Sequence, residues 1–76
     1  ALRIEESVDI RFANLEVHDP NVPQGGSAII IDDSALGWNG WVEIDGAEIY
    51  TNLTSTAPAI FLDDVDAILE GINLHG

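Results

Sequence analysis

Apolar and polar residues alternate along most of this chain, and that alternation is the mark of a strand half buried against a core. Val8, Ile10 and Phe12 point one way, Asp9 and Arg11 the other. The alternation changes phase at Ala13-Asn14, after which Leu15 and Val17 carry the apolar face. A bulge there keeps both halves on the core; two strands joined by a tight turn are the rival reading. Leu2 and Ile4 start an earlier strand. Residues 18–27, with Pro20, Pro23 and Gly25-Gly26, read as a loop that begins at His18. Residues 28–32 follow as an apolar run too short for a helix, the signature of a central, fully buried strand. Asp33 to Gly37 suits one helical turn, capped by Asp33 and ended by Gly37.

Residues 40–51 read as a β-hairpin turning at Asp45-Gly46, the strongest short-range hairpin signal. In that geometry Val42 faces Ile49, Ile44 faces Ala47, Glu43 faces Glu48 and Trp41 faces Tyr50. Val42, Ile44, Ala47 and Ile49 form a core face. Trp41, Glu43, Glu48 and Tyr50 form the other, with two carboxylates opposed.

Residues 52–56 are turn-like, and Ala59 to Leu62 reads as a short strand. Val65, Ile68, Leu69 and Ile72 recur at i, i+3, i+4 and i+7, one face of a helix. Asp63 caps it, Asp66 sits at its third position and Gly71 lies just past its end. A start at Pro58 is the alternative. The predicted fold is therefore α+β and β-rich. It is one small domain over residues 1–76, a small antiparallel sheet or partly open barrel of four to six short strands with one C-terminal helix. No internal repeat, low-complexity tract or linker stands out.

Charge changes the picture most. Fourteen Asp and Glu stand against Arg3 and Arg11, with no lysine, for a net charge of −12. Binding to phosphate backbones needs clustered Lys and Arg, so direct nucleic-acid contact is excluded, and anionic membranes with it. No apolar run approaches the roughly 18 residues of a membrane-spanning helix, and the first residues lack the apolar stretch of a signal peptide. A high-salt (halophilic) setting, a basic partner or divalent cations would each account for the acidity. With no cysteine, neither a disulfide nor a thiolate zinc site is available.

Few residues are candidates for chemistry. Glu43 and Glu48 resemble an acid–base pair, but a catalytic pair needs a concave pocket. Opposed like charges cost up to about 1 kcal/mol, so something is expected to offset them: salt, a cation, or Arg or Lys from a neighbouring molecule. Exposed aromatics beside charge mark interfaces. Trp38, Trp41, Glu43, Glu48 and Tyr50 are accordingly the candidate partner-binding residues, with a core position the rival reading for either tryptophan. Asp32-Asp33 and Asp63-Asp64-Val65-Asp66 lack the calcium-loop pattern and read as caps. His18 and His75 share no ligand or triad spacing, and no serine sits in a nucleophile elbow. No catalytic, metal or cofactor residue is assigned.

These features point to a non-enzymatic structural or protein-interaction subunit of a larger assembly. It is expected to homo-oligomerise or make lattice contacts, and to meet a protein partner with a basic surface. A viral capsid accessory protein, of decoration or head–tail type, is one such class, which would place the chain in a virion and otherwise in the cytoplasm. The alternative is a free-standing acidic binding module, an inhibitor mimicking nucleic acid.

Overall fold

The computed structural model describes residues 2–76. The chain winds through three coils, each made of a short strand, a corner and a strand that follows it. The first coil holds β1 (Leu2–Glu5) and β2 (Asp9–Asp19). The second holds β3 (Ile29–Asp32) and β4 (Gly40–Thr51), the third β5 (Ile60–Asp63) and β6 (Val65–His75). Strands of successive coils pair in parallel, giving two three-stranded sheets ordered β1-β3-β5 and β2-β4-β6. This is a parallel β-solenoid, in which each coil buries its apolar side chains against its neighbours. The Cα framework is a slab of 33 × 24 × 13 Å. Three coils span two strand spacings of about 4.8 Å, which supplies roughly 10 Å of the thin dimension.

The core consists of residues stacked coil on coil. Leu2, Ile29 and Ile60 share one register position, Ile4, Ile31 and Leu62 another. In the long strands the columns are Ile10-Val42-Ala67, Phe12-Ile44-Leu69, Leu15-Ala47-Ile72 and Val17-Ile49-Leu74. The middle member is covered from both sides, so Ile29, Ile31, Val42, Ile44 and Ile49 are fully buried. The third coil is covered from one side, and Leu69 and Leu74 remain exposed.

Each long strand turns a corner without breaking its ladder. Asn14, Gly46 and Gly71 hold φ of 53°, 85° and 62°, the left-handed conformation, and they stack between the paired positions 13/45/70 and 15/47/72. One left-handed residue shifts the alternation by one, so apolar side chains point inward on both sides of it. Glycine reaches this conformation freely, and asparagine more readily than other residues. Gly46→Asn is therefore expected to cost under about 1 kcal/mol, because Asn14 fills the same corner one coil below, whereas Gly46→Val should cost about 1–3 kcal/mol. Urea melts of the two variants check this; equal losses would show that the corner sets no conformational demand.

Several expectations need correction. The sheets are parallel, not antiparallel, and no hairpin turns at Asp45-Gly46: Gly40–Thr51 is one strand. The four side chains assigned to the hairpin's core face are nonetheless buried, because a left-handed corner and a two-residue turn shift the alternation identically. The C-terminal helix is absent: Val65–His75 is strand, Asp63 closes β5 instead of capping, and Gly71 is a corner instead of a helix end. Val65, Leu69 and Ile72 point inward on a strand whose alternation slips at Gly71. Their spacings of four and three residues are also helical spacings, so the pattern imitates one. His18 lies within β2 rather than in a loop, and Val8 is exposed. The bulge placed at Ala13-Asn14 corresponds to the Asn14 corner. Ile29–Asp32 is the central strand of its sheet, as expected.

Candidate partner-binding surface

The corner at Gly46 decides where the candidate residues lie. Trp41 and Glu43 face outward before it, Glu48 and Tyr50 after it, so the four do not form one hairpin face. Glu43 does not oppose Glu48. It lies between Arg11 and Ile68 in register, and Arg11 Nε sits 3.1 Å from Glu43 Oε2. Trp41 lies between Asp9 and Asp66, half-buried, and its indole Nε1–H is shielded without a hydrogen-bond partner among the described residues. Trp38 follows the 3₁₀ turn Ser34–Leu36 and is 54% exposed. Neither tryptophan belongs to the core cluster.

After the corner, the outer face carries two adjacent columns. Glu16, Glu48 and Asn73 form one; His18, Tyr50 and His75 form the other. The rings stack, with centroids 4.5 Å apart for His18 and Tyr50 and 4.4 Å for Tyr50 and His75. Offset ring stacks of this kind contribute about 0.5–1.5 kcal/mol beyond their burial. Parallel stacking sets Glu16 beside Glu48, which would repel, but each carboxylate has a local partner. His18 Nε2 lies 2.5 Å from Glu16 Oε1, and His75 Nε2 lies 2.5 Å from Glu48 Oε2. Asn73 Nδ2 donates to Glu48 Oε1 at 3.1 Å.

The His75 hydrogen bond is the largest influence on the Glu48 carboxyl and, with a lesser one from Asn73, holds it below the ordinary glutamate range despite the opposing effect of desolvation. A carboxyl with a depressed folded-state pKa stabilises the fold above its unfolded value and loses that contribution as pH falls through the folded one. The native chain is therefore expected to lose more stability than Glu48→Gln across and just below the carboxylate range. Thermal melts of both from pH 6 to pH 3 check this; parallel curves would show that the contact contributes nothing.

A third cluster lies at the first corner of the coils. The buried Asp33 carboxylate accepts the Ser7 backbone N–H at Oδ1 and the Ser7 hydroxyl at Oδ2, both at 2.6 Å. Asp33 was expected to cap the helical turn, yet its side chain makes no capping bond and ties coil to coil instead. The rest of the ladder continues round this corner: Glu6 N–H donates to Asp32 O, Asp33 N–H to Asp63 O and Gly40 N–H to Asp64 O. Asp32 makes a local turn, accepting from the Ser34 hydroxyl and backbone, and these hydrogen bonds lower its pKa.

Among the described residues no group of three or more His, Cys, Asp or Glu is placed to hold a metal ion, and no helix is long and apolar enough to cross a membrane. The histidines are what sequence reasoning missed, and a repeat would have found them: Glu16-Val-His18, Glu48-Ile-Tyr50 and Asn73-Leu-His75 are the same segment in three coils. No protein-family model, curated protein or solved structure matches this chain.

Proposed function

We propose that this chain is a non-enzymatic structural and protein-interaction subunit of a larger assembly. The supporting observation is the outer surface of the coils, where the aromatic side chains Trp38, Tyr50 and Phe61 stand exposed on a chain of net charge −12. Among the described residues β1 and β2 lie on one side of the stack and β5 and β6 on the other. Phe61, Leu69 and Leu74 are exposed at the third coil. A partner that binds the folded state adds to its stability by mass action.

The lateral surface suits a basic protein partner. Glu48 and Tyr50 stand on one outer face and Trp41 and Glu43 on the face before the corner, with Trp38 exposed two residues before the strand begins. Catalysis is a poorer fit. The depressions on the described surface are open, and both histidines are engaged with neighbouring carboxylates.

Size-exclusion chromatography of an extract of the source cells tests the proposal. Tagged chain is expected to elute far above 8.2 kDa and to be released as salt screens the acidic surface. Elution as free chain at every salt concentration would sink it.

A further inference from the structure

We propose that the outer face of β2, β4 and β6 before the corner docks an extended segment of a partner protein, one with arginines four residues apart and an apolar residue midway between them. This rests on the assembly reading above and gives its basic partner a recognisable pattern. The parallel register sets the outward side chains of this face in three columns across the coils. Asp9, Trp41 and Asp66 form the first, Arg11, Glu43 and Ile68 the second, and Ala13, Asp45 and Glu70 the third. The second column neutralises itself, with Arg11 Nε 3.1 Å from Glu43 Oε2. Arg11 also reaches toward the first column, its Nη2 lying 3.9 Å from Asp9 Oδ1. Asn39 Nδ2 donates a long hydrogen bond to Asp66 Oδ1 at 3.4 Å. Among the described residues Asp45, Asp66 and Glu70 make no ion pair.

The face thus carries two acidic columns with a neutral one between them, and charge complementarity selects a basic occupant. The other outer faces answer their acids internally. After the corner His18 and His75 hold Glu16 and Glu48, and on β1, β3 and β5 Arg3 holds Glu5 and Asp32, leaving Asp63. Four residues of extended chain span about 13 Å. Side chains at i and i+4 of a segment lying along β4 therefore reach the first and third columns together. The residue at i+2 lies over the second column, where Ile68 is 39% exposed. An open depression lined by Arg11, Phe12, Ala13, Glu43 and Asp45 lies on this face as well. Arginine suits the first column better than lysine. Its planar guanidinium can lie on the Trp41 ring and hydrogen-bond a flanking carboxylate, and it is the more weakly hydrated cation. A second copy of this sequence does not supply the pattern, because its arginines stand at positions 3 and 11.

Two peptides of equal composition, acetylated and amidated, test the spacing. Thr-Arg-Thr-Val-Thr-Arg-Thr places both arginines on one side of an extended chain, and Thr-Thr-Arg-Arg-Val-Thr-Thr places them on opposite sides. Binding is read at about 0.15 M salt from tryptophan fluorescence of the Trp38→Phe chain, in which Trp41 is the sole tryptophan. The spaced peptide is expected to bind about tenfold more tightly than its isomer, and to lose about tenfold with Asp66→Asn and again with Asp45→Asn and Glu70→Gln together. Glu48→Gln, on the face after the corner, should leave its affinity unchanged. Equal affinity for the two peptides overturns the proposal. So does an absence of binding at millimolar peptide, or undiminished binding by the acid-to-amide chains with native circular dichroism. The same fluorescence change on adding calcium chloride in place of peptide overturns it in favour of a cation site. If the proposal fails while the large complex in cell extract persists, the assembly reading stands with a different contact surface.

Discussion

Ile44→Ala is expected to lower the unfolding free energy by about 2–5 kcal/mol, the usual range for emptying a filled core site. Ile44 is completely buried, with Phe12 and Leu69 stacked on either side in register. No layer can collapse into the void without breaking the parallel ladders that hold those neighbours. A domain this size has only about 0.05–0.15 kcal/mol of stability per residue, roughly 4–11 kcal/mol in all, so the variant should lose a large share of its stability. Leu74→Ala removes a side chain of the same volume class from the third coil, where it is 47% exposed, and should cost under about 2 kcal/mol. Urea denaturation followed by circular dichroism measures both. Equal losses would count against a core in which the middle coil is the buried one.

Asp33→Ala should cost about 2–4 kcal/mol, because two buried donors on Ser7 lose their acceptor at once. Ser7 and Asp33 are almost fully buried, and water cannot replace the carboxylate without opening the corner. Asp33→Asn should fall between native and alanine. Its Oδ1 can still accept the Ser7 N–H, and its Nδ2 can donate to the Ser7 hydroxyl. Gly40→Ala should match Asp33→Ala in size for a steric reason: a Cβ at Gly40 would overlap the Ser7 carbonyl oxygen and Asp33 Oδ2. If Asp33→Asn proved as damaging as alanine, or Gly40→Ala proved neutral, the Ser7–Asp33–Gly40 corner would not be the clamp between coils described here.

Local features of the fold were legible wherever a two-residue period runs unbroken. The strands beginning at Leu2, at Ile29 and at Ile60 fall where alternation or an apolar run put them. The Asn14 phase change was legible too. The C-terminal strand was not, because Val65, Leu69 and Ile72 satisfy a helical period as well as a cornered strand does. The repeat was hidden by unequal connections. Register partners lie 27 residues apart for Leu2 and Ile29 but 31 for Ile29 and Ile60. They lie 32 apart for Ile10 and Val42 but 25 for Val42 and Ala67. A fixed-period search fails on such spacings, although the segments themselves align.

The candidate surface shows the same division. Residue types identified Trp38, Trp41, Glu43, Glu48 and Tyr50, and composition identified the need for something to offset the acids. Which residues stand together was a tertiary outcome: Glu43 lies beside Arg11, Glu48 beside His75, and Tyr50 between two histidines.

By itself the sequence determined which residues of β2 and β4 enter the core, that the alternation changes phase near Asn14 and at Gly46, and how strongly charged the exterior is. Alternation, glycine and ionisable groups act locally and leave local marks. Only the tertiary structure decided that the strands run parallel and that three unequal segments share one register. A strand's side-chain pattern is the same whether its neighbour is parallel or antiparallel, and the direction of pairing is settled by how the connecting loops return the chain.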